Sequence, residues 1–170
     1  QEVVVSVRGP TGVRTAGALV TVIGSTPHTP VQSSSIVVQG DAVYSVNADA
    51  SLLHVIDLGD PLRSGGTHAT CSGPRTLATN AEATQLAVAC PASDTVRIFD
   101  LDSFALSDVS LPRGSRPYGV VARGASFFVS LQGTGEVGEI AGGTLRRTFA
   151  AMPDARGIAV APDGRLAVSR

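Results

Sequence analysis

The chain repeats itself. A unit of roughly 40 residues recurs along most of its length, and a recurrence at that period constrains the fold more than any single motif. The first copy runs through residues 35–38 (SIVV), the turn Gly40-Asp41, residues 42–47 (AVYSVN) and residues 52–57 (LLHVID). The second has residues 76–79 (TLAT), a turn at 81–84 (AEAT), residues 86–90 (LAVAC) and residues 95–100 (TVRIFD). The third has residues 119–122 (GVVA), Gly124-Ala125, residues 126–130 (SFFVS) and residues 136–140 (EVGEI). A fourth opens with residues 157–161 (GIAVA), turns at Pro162-Asp163-Gly164 and continues with residues 166–168 (LAV).

Each copy is a short strand, a tight turn, a second strand, a polar loop and a third strand. The Gly-Asp and Pro-Asp-Gly turns are hairpin chemistry. The strands are rich in Val, Ile, Leu and Ala, as buried strands are. A fourth strand is expected near residues 67–71, 105–111 and 145–149. Four antiparallel strands per unit at this period form the blade of a β-propeller. A β-sandwich is the alternative, but it has no reason to repeat one turn at one phase. The expected fold is therefore all-β, a propeller with about four blades' worth of strands. The boundaries are residues 1–33 (the outer two strands of a blade), 34–73, 74–115 and 116–154 (one blade each), and 155–170 (the inner two strands of a further blade).

Within residues 1–33 a strand is expected at 3–7, a turn at Gly9-Pro10-Thr11-Gly12 and a second strand at 18–23. Gln1 reads as a processed or trimmed start, and Arg170 follows directly on a strand-like run. The two ends could share one blade of a four-bladed ring, or sit in different blades of a larger one. The larger ring is favoured, with the chain a fragment or cleaved piece and the remaining part of the propeller as its partner.

Residues 88–90 (VAC) with 94–100 (DTVRIFD), and Gly157-Ile158-Ala159-Val160-Ala161-Pro162-Asp163-Gly164, resemble the YVTN β-propeller repeat family. That family's pattern runs P-x-G-I-A-x-S-P-D-G-x-x-L-Y-V-A-N-x-x-x-x-T-V-x-V-I-D. The resemblance covers residues 34–170. The third copy departs from it, with Arg123-Gly124-Ala125 at the turn, and Asn is kept only at Asn47. The resemblance implies a ring of about seven blades. It also implies that such propellers are sometimes fused to c-type cytochromes or dihaem peroxidase-like domains. Fold does not fix activity.

Composition narrows the function classes. Of 170 residues, 43% are hydrophobic and 16% charged, which excludes a charge-rich disordered chain. The 13 basic residues, all arginine, face 14 acids, so the net charge is -1 and nothing advertises a nucleic-acid partner. No apolar run approaches the roughly 20 residues of a membrane span. Cys71 and Cys90 are the only cysteines. If residues 76–80 pair antiparallel with 85–90, Cys71 lies within reach of Cys90, so a disulfide is expected, with two buried thiols as the alternative. An even cysteine count in an exported chain favours that disulfide, and the expected location is the periplasm, cell surface or extracellular space.

No catalytic constellation is visible. His28, His54 and His68 are scattered and read as surface or loop histidines. No haem attachment motif, nucleophile elbow, P-loop or dinucleotide fingerprint occurs, and no cofactor or metal is expected within this chain. Gly133-Thr134-Gly135 reads as a loop. Asp41, Asp94 and Asp163 read as turn residues capping local backbone.

The loops leading into the first strand of each blade gather at one mouth of a propeller's channel. Arg75, Tyr118 and Arg156 lie just before those strands, with Arg113 and Arg116 close by. Converging guanidinium groups attract carboxylate or phosphate, and Tyr118 offers a stacking face. Solvated loop arginines offset by Asp154 are the simpler reading. The functional expectation is an exported, non-enzymatic scaffold or binding module engaging a protein, peptide or glycan at the mouth. The alternative is the propeller module of a c-type cytochrome or dihaem peroxidase-like protein, with its haem sites elsewhere.

Overall fold

The computed structural model of the protein describes residues 2–9, 12–19, 33–60 and 64–170. Every regular element among them is a strand. An N-terminal hairpin pairs β1 (Glu2–Gly9) with β2 (Gly12–Leu19). Three four-stranded sheets follow. The first holds β3 (Ile36–Gln39), β4 (Ala42–Asn47), β5 (Leu52–Asp57) and β6 (Ser64–Ala69). The second holds β7 (Thr76–Thr79), β8 (Gln85–Cys90), β9 (Thr95–Asp100) and β10 (Leu106–Ser110). The third holds β11 (Pro117–Arg123), β12 (Ser126–Leu131), β13 (Glu136–Ala141) and β14 (Thr144–Ala150), and a last pair joins β15 (Ile158–Val160) to β16 (Leu166–Val168). Each four-stranded sheet is an antiparallel meander in chain order.

Turn chemistry sets this layout. Two-residue turns close β3–β4 and β11–β12, where Gly40 and Gly124 both sit at φ +57, a region open to glycine at no steric cost. The longer β7–β8 turn is held by Asn80, whose side-chain oxygen accepts the N–H groups of Thr84 (2.9 Å) and Gln85 (2.8 Å). The β4–β5, β8–β9 and β12–β13 loops share a second device. Each ends in a left-handed residue, Ser51, Asp94 or Gly135. The carbonyl of each accepts an N–H from the segment after the outer strand: Thr70 at 2.8 Å, Leu111 at 2.9 Å and Ala151 at 3.0 Å.

Alternating strand faces bury against different neighbours. On β8, Leu86, Val88 and Cys90 pack with Val37, Tyr44, Leu53 and Val55 of the first sheet. Ala87 and Ala89 pack instead with Val120, Phe127 and Val129 of the third. On β12, Phe128 turns the other way, to Val121, Val137 and Ile158. The sheets thus stack face to face in chain order. Their first strands touch in series, β3 on β7, β7 on β11 and β11 on β15. A sandwich would pair faces across two layers, so this arrangement sets it aside.

Two faces lack a cover among the described residues. On β3, Val37 is buried against the second sheet, while Ile36 and Val38 on the opposite face are 50% and 51% exposed. Val109 and Phe149 hold the same register position in successive sheets, paired across to Val96 and Val137. Val109 is 3% exposed beneath the third sheet, whereas Phe149 is 40% exposed.

Several expectations need correction. The outer strand of the first sheet begins at Ser64 and ends at Ala69, so Cys71 lies in the following loop. The second N-terminal strand begins at Gly12 and ends at Leu19. The residues after it up to Ile23, and His28, lie outside the described residues. His54 and His68 lie on strands β5 and β6. His68 stacks on Phe104 with ring centroids 4.0 Å apart, filling the seam between the first two sheets.

Candidate functional site

The loops entering β7, β11 and β15 are built alike. Leu77, Val120 and Ile158 are the residues of each first strand that pack on the preceding sheet. Two residues before each stands Arg75, Tyr118 or Arg156. Two residues earlier again stands a left-handed residue, Gly73 (φ +63), Arg116 (φ +49) or Asp154 (φ +60). Equal positions in three successive sheets bring the three side chains together. The guanidinium carbon of Arg75 lies 5.2 Å from the centroid of the Tyr118 ring. That of Arg156 lies 5.8 Å from the same centroid. A cation over an aromatic face is attracted by the ring quadrupole.

The scaffold beneath is tight. The Thr76 hydroxyl donates to the Tyr118 carbonyl at 2.7 Å and accepts the Val120 N–H at 3.1 Å. The Ser130 hydroxyl accepts the Gly119 N–H at 2.8 Å and donates to the Arg156 carbonyl. A Cβ on Gly119 would stand 2.4 Å from that carbonyl oxygen, so only glycine fits there. The loop carrying Arg75 is fastened by a disulfide between Cys71 and Cys90. The loop carrying Arg113 and Arg116 is fastened by Asp94. Its carboxylate accepts the N–H groups of Gly114 (2.7 Å) and Arg116 (2.8 Å). Asp94 therefore caps the next loop along, and not its own turn. Asp163 does act locally, accepting the Arg165 N–H at 3.0 Å.

Charge at the mouth is uneven. Asp154 grips Arg156 through Nε (3.2 Å) and Nη2 (3.0 Å) and accepts the Gln132 amide at 2.7 Å. The Gln132 hydrogen bond, then Arg156 and the charge of Arg116, hold the Asp154 carboxyl below the usual carboxylate range. Arg75 is exposed and has no acidic partner among the described residues. Arg113 is exposed on the same loop as Arg116 and lies outside the cluster at the Tyr118 ring. The Tyr118 ring, expected to offer a stacking face, has the guanidinium groups of Arg75 and Arg156 beside it. Gln132 escaped the sequence reading because it sits in the β12–β13 loop, far in sequence from the aligned strand starts.

Two guanidinium groups beside one ring are donors of the kind that pair with carboxylate or phosphate groups. The Asp154 carboxyl, held below the usual carboxylate range, is a poor proton donor at neutral pH. Among the described residues no cluster of three or more His, Cys, Asp or Glu side chains could hold a metal. A separate cleft of about 470 Å³, lined by Phe128, Phe149, Met152, Leu166 and Val168 among others, is the uncovered inter-sheet face noted above.

No protein-family model matches the chain, and no curated protein matches it. Solved structures do. Hydrazine synthase of Kuenenia stuttgartiensis superposes with a TM-score of 0.72 at 17% identity, over 89% of this chain and 45% of that one. Virginiamycin B lyase from Staphylococcus aureus gives 0.64 at 11% identity, over 82% of this chain and 56% of that one. The dihydro-haem d1 dehydrogenase NirN gives 0.65 at 19% identity, over 76% of this chain and 30% of that one. The chain spans about half, or less, of the length of these proteins. Face-to-face stacking of four-stranded meanders, first strands in series, and these superpositions together identify the chain as a β-propeller module.

Proposed function

We propose that the chain is a non-catalytic binding module of an exported propeller, and that its mouth holds an anionic group of a partner between Arg75 and Arg156. The observation that carries this reading is the convergence of two guanidinium groups from different sheets on one tyrosine ring. Arg75, exposed and without an acid beside it, is the charge a partner would meet first. Export is supported by the disulfide, which persists in oxidising compartments. The uncovered Ile36 and Val38 fit a ring in which further strands cover that face, whether a larger ring of the YVTN kind or a four-bladed ring completed by both termini; the Ser33 N–H bonded to the Ile158 carbonyl at 2.9 Å belongs to the second arrangement.

The double substitution Arg75→Ala with Arg156→Ala tests the mouth. Binding of succinate and of inorganic phosphate is measured by calorimetry at fixed ionic strength. Affinity for both is expected to fall at least about tenfold, the effect of losing one charge-assisted contact of about 1.4 kcal/mol. Unchanged affinity for both would remove the reading.

A second reading makes the chain the propeller part of a haem redox protein. The superposition on a dihydro-haem d1 dehydrogenase supports it. A visible absorption spectrum of the protein purified from its native host separates the two: a Soret band supports the haem reading, and a featureless spectrum opposes it.

A further inference from the structure

We propose that the mouth selects carboxylates over phosphate, and that Asp154 is a resident carboxylate whose place an incoming one takes. This rests on the anion-binding reading above and names the chemistry of that site.

The geometry is already displayed by Asp154 itself. Its two oxygens lie against the Nε and Nη2 edge of Arg156, at 3.2 and 3.0 Å. This is the fork-to-fork pairing that matches a planar carboxylate to a guanidinium. Gln132 adds a neutral amide donor to Oδ1 at 2.7 Å. One guanidinium edge and one amide satisfy a singly charged planar group. They leave part of a doubly charged tetrahedral group unmet.

Asp154 is also placed to leave. Its backbone sits at φ +60, a region where a residue with a Cβ is strained. The matching position in the loop into β7 is Gly73, which adopts φ +63 freely. The Asp154 side chain is held by its contacts to Arg156 and Gln132. Those contacts are solvent-exposed, with about half of each side chain of the Asp154–Arg156 pair accessible, so they are weak and exchangeable. The equivalent glycine also explains why Arg75 is unpaired: its loop offers no carboxylate at the corresponding place. A carboxylate ligand can dock on Arg75, then pass to the Arg156 fork and the Gln132 amide as Asp154 swings out. Tyr118 between the two guanidinium groups keeps them aligned.

The experiment compares wild type with Asp154→Gly, Asp154→Asn and the Arg75→Ala, Arg156→Ala double variant. Succinate and inorganic phosphate are the probes, with binding read by calorimetry and folding by circular dichroism. Asp154→Gly copies the Gly73 loop and accepts the left-handed backbone without strain, so it keeps the fold even if Asp154→Asn does not. Wild type is expected to bind succinate more tightly than phosphate, and both Asp154 variants to bind succinate about tenfold tighter than wild type, because the resident carboxylate no longer competes for the Arg156 fork. Succinate affinity that stays the same or falls in Asp154→Gly, while wild-type binding still depends on Arg75 and Arg156, overturns this inference and leaves the anion-binding mouth standing. Wild-type affinity for phosphate equal to or above that for succinate overturns the selectivity. Wild-type binding indifferent to the arginine pair removes the mouth itself.

Discussion

Phe99→Ala is expected to destabilise the fold by about 4 kcal/mol, the range for removing a large aromatic from a rigid core. Phe99 is buried on β9 in the seam between the first two sheets, among Leu53, Leu77, Leu86 and Val88. The His68 ring meets it edge-on at 6.5 Å. Both walls of that seam are hydrogen-bonded sheets. They cannot slide inward to fill a cavity without breaking their ladders, so little of the loss is recovered by relaxation. The reading is a lowered midpoint in urea with an unchanged slope. Leu106→Ala is the control: Leu106 lies on the outer strand β10 and is half exposed, so its change stays within about 0.5 kcal/mol. Equal effects at the two positions would mean that the seam between sheets is not the core.

Reduction of the Cys71–Cys90 disulfide is expected to cost about 3 kcal/mol, the chain-entropy value for a closed loop of this size. The bridge spans 19 residues and joins the loop entering β7 to the end of β8. Once cut, the unfolded chain regains the freedom that the bridge removes. The folded chain keeps its sheet but loses the anchor of residues 70–75. Two readouts follow from that. The urea midpoint falls in dithiothreitol and in the Cys71→Ala, Cys90→Ala double variant alike. Affinity at the mouth falls as well, because Arg75 leaves the loop only four residues after Cys71. Loss of stability with unchanged anion affinity would show that Arg75 is positioned by β7 alone.

The sequence made some of this plain and hid the rest for definable reasons. Gly40, Gly124 and Pro162-Asp163-Gly164 punctuate the chain at one phase, and turn chemistry is local, so the strand pairs around them were legible. The apolar runs of β8, β9 and β12 were legible too, since strands covered on both faces carry little polar interruption. Cys71 and Cys90 could be matched because each lies close to one hairpin. The start of β6 was not legible: Gly65 and Gly66 carry no strand signal, and their place comes from Gly66 pairing with Val55 and Ser64 with Ile56, with Gly65 at the shift of register between them. His68 looked like a loop histidine because its partner Phe104 is supplied by the next sheet. The same cause hid the site's finer chemistry. Asp94 capping the loop at Gly114 and Arg116, Gln132 donating to Asp154, and guanidinium groups lying over Tyr118 all depend on how one sheet sits against another. A single chain's residue order encodes that placement only through packing.

The most direct test is a nuclear Overhauser spectrum read at the Tyr118 ring, which is easily assigned because the chain has only one other tyrosine, Tyr44. Sheets fanned in chain order place Tyr118 between a residue of the sheet before it and one of the strand pair after it. The expected result is cross-peaks from the ring to the side-chain methylenes of both Arg75 and Arg156. Cross-peaks to neither arginine, or to residues of the outer strands β6, β10 or β14, would contradict the fan and the mouth it builds.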